Sequence, residues 1–215
     1  GQHQRGRRSP LRSSLHLLIR QPTMQNNTSV LCQIDPSGRT AKPTTLQEYG
    51  KMRERMIQGG WVSLEDQLFI ERVTRRGHPW YGCLFNGHDL MEVQQQKLCW
   101  RMQTMIALDF DKCPIDPMVM VQHFRDEGLD PWFAYGTFSD GTTEGRSYRL
   151  VWKVEANLNK TYEDVRQYIK NLAVFAGGHA DKMSMDPSRL WQGSNSGMIY
   201  FGQSATTLDL NEDFF

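Results

Sequence analysis

The chain has 215 residues, of which 39% are hydrophobic and 11% aromatic, a length and composition that support a sizeable globular core and exclude a disordered chain. Its 25 Lys and Arg against 24 Asp and Glu leave a net charge of +1, so no global field announces a polyanionic partner and any nucleic-acid surface must be local. No stretch has the length of a membrane span or the apolar core of a secretory signal, and Cys32, Cys83, Cys99 and Cys113, spread without a Cys-x-x-Cys pair, read as reduced thiols of a cytoplasmic protein.

Residues 1–45 read as a flexible basic leader. Arg5, Arg7, Arg8, Arg12 and Arg20 precede the first acid, Asp35, in a segment rich in Ser, Gln, Asn and Pro without an apolar period, with Met24 as a natural start. Residues 46–103 form an N-terminal α/β module. In it Leu46, Tyr49, Met52 and Met56 suit an amphipathic helix stopped by Gly59-Gly60, and Trp80 to Phe85 suits a short strand. The region from Asn86 to Gln103, with its Gln94-Gln95-Gln96 run, has no clear period. His78, Cys83, His88 and Cys99 are the one set that could gather a zinc ion, at a spacing unusual for such sites.

Residues 104–215 are more regular. Thr104 to Asp111 is an apolar strand; Asp116 then caps a helix with Pro117 at its first position, Met118, Val121 and Phe124 inward and Gly128 as its stop. Trp132 to Phe138 is a second strand, and the turn Ser139 to Gly145 leads to a third, Ser147 to Glu155, with strict alternation. Thr161 caps a helix whose Val165, Ile169, Leu172 and Phe175 form a core stripe ended by Gly177-Gly178, and strand signals return at Arg189 to Gln192 and Met198 to Phe201. The order β-α-β-β-α-β predicts an α+β fold with a ferredoxin-like, RRM-like palm.

In that architecture the first and third strands are central, both helices cover one face and the other face stays open. Alternation sends Ile106, Leu108, Phe110, Tyr148, Leu150, Trp152 and Val154 toward the helices, so Asp109, Asp111, Ser147, Arg149 and Lys153 converge on the open face. Two carboxylates one residue apart on a strand repel, and a hard divalent cation relieves them. An RNA-recognition sheet would carry aromatic rings there. Acids with an opposing guanidinium suit a metal-bound triphosphate instead, and removal of the acids is expected to abolish chemistry and spare the fold. Taken singly, Asp-x-Asp is also the ordinary ending of a strand before a helix-entry loop, and Ser147 and Arg149 an ordinary exposed strand face.

Asp109-Phe110-Asp111, Ser147-Tyr148-Arg149 and Ala180-Asp181, followed by Asp186-Pro187-Ser188-Arg189-Leu190 and Gly193-Ser194, resemble the three motifs of the archaeo-eukaryotic primase superfamily. Within it the likeness is to primase-polymerase domains of plasmids, phages and mobile elements, over about Trp80 to Gly202. The resemblance implies template-directed nucleotidyl transfer that makes primers on single-stranded DNA in replication. Asp109, Asp111 and Asp181, with Asp186 as fallback, would then ligate two Mg²⁺ or Mn²⁺ ions about 4 Å apart. Ser147 and Arg149 would hold the nucleoside triphosphate, with Arg146, Lys153 and Arg189 in support. Arg149 departs from the family, which usually places a histidine there.

The alternative is a non-catalytic replication initiator or single-strand-binding module of the same fold. A phosphohydrolase would continue its Asp-x-Asp with Thr or Val, whereas Lys112-Cys113 follows here, and a rolling-circle nuclease would need a His-x-His pair that the chain lacks. The acidic end, Asp209 to Phe215, reads as a partner-docking tail or as a point of continuation into a longer polypeptide carrying a helicase or primer-binding domain.

Overall fold

The computed structural model describes residues 28–86, 99–155 and 157–215. The architecture is α+β with antiparallel sheets. In chain order the elements are β1 (Ser29–Ile34), α1 (Leu46–Gly59), β2 (Val62–Glu65), α2 (Asp66–Thr74), β3 (Trp80–Tyr81), β4 (Cys83–Phe85), β5 (Trp100–Gln103), β6 (Met105–Cys113), α3 (Pro117–Asp126), β7 (Phe133–Gly136), β8 (Arg146–Lys153), α4 (Tyr162–Val174), a 3₁₀ turn (Lys182–Met185), β9 (Leu190–Trp191) and β10 (Met198–Phe201). One sheet runs β2-β1-β3-β9, a second β10-β7-β8-β6, and β4 and β5 form a ribbon.

Local chemistry sets most helix boundaries. The Thr45 hydroxyl accepts from Glu48 N at 3.1 Å to start α1, and Asp116 Oδ1 accepts from Met118 N at 2.9 Å ahead of Pro117 to start α3. A reciprocal capping box between Thr161 and Asp164 starts α4. One inward residue of α3 differs from expectation. Met118 is exposed and Met120 buried, because the stripe runs Pro117, Met120, Val121, Phe124.

The end of the expected flexible leader is a strand. In β1, Val30, Cys32 and Ile34 alternate into the core while the backbone pairs with β2 and β3, a period of two that the polar neighbours masked. Residues 1–27, including the leader arginines and Met24, lie outside the described residues, as do His88 and the glutamine run. Strand pairing also crosses the expected division at residue 104, since Trp80 and Tyr81 of β3 pair with Trp191 and Leu190 of β9.

The second sheet differs from the expected palm in two ways. First, β6 and β8 are neighbours, but β6 lies at an edge and β10 sits beside β7 at the other edge. Second, neither face is open. Ile106, Leu108, Phe110, Tyr148, Leu150 and Trp152 pack with Val121, Phe124, Val165 and Leu172 of α3 and α4. Met105, Ala107, Val151, Phe133 and Tyr135 on the opposite face join a second core with Val30, Phe69, Val73, Trp80 and Trp191. Phe69 of α2 stacks on Trp132 at 5.7 Å and meets Trp80 edge-on at 5.6 Å, tying the two layers together. The sequence carried this signal. Met105 to Leu108 is apolar at every position, the mark of a strand covered on both sides.

Candidate active site

The site is built around one carboxylate at the edge of a sheet. Asp109 stands opposite Arg149 in the β6–β8 register. Its own backbone turns away from β8: Asp109 N donates to Ser184 Oγ at 2.9 Å, and Asp109 O accepts from Asp181 N at 2.7 Å. The segment that leads into the 3₁₀ turn therefore satisfies the free edge of β6 and carries Asp181 to Asp109. Because this pair exchanges no backbone hydrogen bonds, the side chains of Asp109 and Arg149 lie close.

They make a buried ion pair. Arg149 Nε donates to Asp109 Oδ1 at 2.9 Å, with the two side chains 4% and 9% exposed. Arg149 Nη1 donates to the Tyr135 hydroxyl at 3.1 Å and to the carbonyl of Gln192. Burial works against the Arg149 charge, but the Tyr135 hydroxyl and the Asp109 carboxylate more than offset it, so its pKa lies above that of a free arginine. The Tyr135 hydroxyl in turn donates to Gln192 O at 2.8 Å and accepts from Trp80 Nε1 at 3.2 Å. Gln192 reaches this position because the chain passes tightly at Gly193, where a Cβ would stand 2.6 Å from Val73 O.

A second guanidinium faces the other carboxylate oxygen. Arg189 Nη2 lies 3.5 Å from Asp109 Oδ2, and its guanidinium carbon sits 4.6 Å from the centre of the Trp191 ring. Its Nη1 is buried with no hydrogen-bond partner among the described residues. Burial lowers the Arg189 pKa; the Asp109 carboxylate opposes that shift, Arg149 adds to it, and Asp181 and Asp186 also favour the charge.

Asp111 follows at the rim. A bulge between Phe110 and Cys113, with Lys112 at φ 48°, exposes Asp111 and Lys112 while returning Cys113 to the core. The Ser147 hydroxyl donates to Asp111 Oδ1 at 3.1 Å and accepts from Lys112 N at 3.2 Å. Gly145, at φ 78°, lies against this bulge where a Cβ would stand 2.7 Å from Lys112 O.

The structure is similar to that of the AEP domain of the cyanophage S-2L primase-polymerase (PP-N190), over 86% of this chain and 85% of that chain, with a TM-score of 0.44 and 14% sequence identity. No protein-family profile and no curated protein sequence matches the chain.

Of the residues singled out by sequence, Asp109, Asp111, Ser147, Arg149, Asp181 and Arg189 belong to this one neighbourhood. Others do not join it. Lys153 pairs with Asp66 and lies 4.8 Å over the Trp132 ring, at the far end of β8. Arg146 forks onto Asp140 at 2.9 and 3.0 Å and reaches Asp116 at 3.3 Å. Asp186 Oδ1 accepts from the Tyr162 hydroxyl at 2.6 Å and from Ser188 N and Oγ at 2.9 and 2.7 Å, which makes it the organiser of the turn before Arg189. Tyr135, Ser184 and Gln192 were not singled out as site residues. Tyr135 was legible only as a member of its strand, and its register opposite Arg149 is a tertiary fact.

The expected open face of acids and cations is therefore a covered one, with Arg149 3% exposed and bound to protein partners. Loss of Asp109 would leave that guanidinium buried without a counter-charge, so removing this acid does not spare the fold. Nor do the carboxylates form a ready metal site. Both Asp109 oxygens face arginines, Asp181 Oδ1 caps Met183 N at 2.8 Å, and no group of three or more His, Cys, Asp or Glu among the described residues is placed to hold a cation. Cys83 is fully buried with its pKa pushed up by desolvation, and His78 Nδ1 lies 2.8 Å from Asp35 O, so neither presents itself to zinc.

Proposed function

We propose that the chain is a primase-type nucleotidyltransferase domain, which joins nucleoside triphosphates on a single-stranded DNA template to make primers. The supporting observation is convergence. Segments around residues 109–111, 147–149 and 181–189, far apart in the chain, meet through Arg149–Asp109, Ser147–Asp111 and Asp181 N–Asp109 O. In this reading Asp111 is the accessible acid, held in one rotamer by Ser147. Arg189, whose side chain is 20% exposed at the rim of this cluster, is the cation for a triphosphate oxygen. Arg149 orients Asp109 rather than gripping substrate. The palm-like β-α-β-β-α-β order would serve as the frame for these contacts.

One observation favours a second reading. A buried carboxylate already balanced by guanidiniums also suits a module that binds single strands without chemistry. Incubation with an unprimed single-stranded template, labelled nucleotides and Mn²⁺ or Mg²⁺ separates the two. A primase yields extended products that vanish in Asp111→Asn. A template shift without any product would favour the binder.

A further inference from the structure

Resting on that reading, we propose that the groove between α2 and β10 is a subsite for single-stranded DNA, in which Arg75 grips a backbone phosphate and the Phe201 ring stacks on a base.

The groove has a volume of about 410 Å³, with Ile70 and Arg75 on one side and Met198 and Phe201 of β10 on the other. Met198 is 51% exposed and Phe201 41%, on the outer strand of the sheet, so a thioether and an aromatic ring stand open to solvent. Arg75 has no part in closing its helix. The last carbonyls of α2 are taken by backbone N–H groups: Glu71 O by Arg75 and Arg76, Arg72 O by His78 at 3.0 Å, Val73 O by Ser194 at 2.7 Å and Thr74 O by Gly197 at 2.8 Å. Its guanidinium pairs with no carboxylate among the described residues, since the neighbouring Arg76 holds Glu71 at 3.0 Å. Nε, Cζ and Nη2 of Arg75 lie 3.8–3.9 Å from where a Cβ on Gly197 would stand, so the fork lies broadside on the loop of residues 193–197, beside the exposed Ser196. A free, planar set of donors in this setting suits a phosphate.

The register ties the groove to the acid cluster. Met198 stands opposite Tyr135, Tyr135 opposite Arg149, and Arg149 opposite Asp109. This one cross-strand row spans three strand spacings, about 14 Å, so a strand lying across this end of the sheet passes from one to the other. A free cation beside an open ring holds a single strand by phosphate and by base, whatever the sequence. An acidic peptide would use the cation but has no need of the ring.

The test is binding of labelled oligothymidylate to the full chain by fluorescence anisotropy, over a salt series, without metal or nucleoside triphosphate. Arg75→Gln is expected to weaken binding about fivefold and to lower the slope of log affinity against log salt by about 0.7, the share of one phosphate on a single strand. Arg75→Lys, which keeps the charge, should retain the slope. Phe201→Leu, which keeps an apolar side chain but removes the ring, should weaken binding about fivefold at an unchanged slope. Arg166→Gln, at an exposed pair with Glu163 on α4, controls for net charge and should match the parent. An Arg75→Gln slope or a Phe201→Leu affinity equal to the parent's overturns the inference, and parent-like strand binding in both is the result expected of a protein occupant. Primer synthesis plays no part in this readout. Its absence would sink the enzymatic reading and leave the subsite standing, whereas primers made by a chain whose variants bind like the parent would sink the subsite alone.

Discussion

Asp35 and Asp109 are both buried aspartates facing arginine, yet they are built for different ends. Asp35 sits at the end of β1 with a fully buried side chain, and Arg55 forks onto it at 3.0 and 2.7 Å while Ser37 N adds a third bond at 3.0 Å. One arginine serves both of its oxygens, and that arginine is 38% exposed. Asp109 has two different arginines, one locked and one at a longer distance, and the second carries an amine with no partner among the described residues. A saturated pair joins elements of the fold. An over-supplied pair leaves polar hydrogen-bonding capacity unused within the described residues.

Function should separate the two regions most sharply. Asp111→Asn is expected to reduce primer synthesis at least about a hundredfold, while the melting temperature stays within about 2 °C because the side chain is exposed and a surface change costs little. Primer yield and thermal melts measured on the same preparation check this; an active variant would remove Asp111 from the chemistry.

Stability comes next. Asp109→Asn leaves Arg149 buried without its partner and should cost about 3 kcal/mol, a fall of roughly 6–12 °C in a domain of this size. Asp35→Asn should cost less, because the half-exposed Arg55 can turn to water. Urea titrations of both variants would erase the distinction if the order reversed.

The Asp140–Arg146 fork offers a milder, pH-dependent case. Burial would raise the Asp140 carboxyl, but hydrogen bonds from Arg146 and Ser147 N hold it below the ordinary 3.8. A depressed folded-state pKa stabilises the fold fully above the ordinary value, and that contribution fades as the pH falls through the folded value. The melting deficit of Asp140→Asn relative to the parent should accordingly shrink between neutral pH and about pH 3. The smallest effect belongs to Thr161→Ala, which removes one half of the α4 capping box and should cost ~1 kcal/mol with the site unaffected.

Elements governed by near neighbours were legible in the chain. Asp116-Pro117, Thr161 with Asp164, and Gly177-Gly178 mark helix ends through bonds within a few residues, and the alternation of Tyr148, Leu150 and Trp152 places them in one core as read. The helix α2 escaped because Phe69, Ile70 and Val73 form a short stripe hemmed by charges, with no side-chain cap at Glu65. The strand β1 escaped because its polar positions and the basic run before it outweighed Val30, Cys32 and Ile34. At the site, Asp109, Asp111, Ser147, Arg149 and Asp181 were visible as residue types, but Lys153 was assigned to it from strand parity and Arg146 only through the primase resemblance. Parity tells which face a side chain takes and not which partner waits there.

The sequence by itself determined where most helices begin, which side chains of β6 and β8 face α3 and α4, and that two acids end an apolar strand, because hydrogen-bond and apolar periods act over a few residues. Only the tertiary structure decided which elements cover the other face, that β6 is an edge strand sealed by the Asp181–Ser184 segment, and that Arg149 and Arg189 both turn onto Asp109. Those outcomes depend on which distant segments come to share one low-dielectric space, where a buried carboxylate must find positive charge from whatever part of the chain the packing brings within reach.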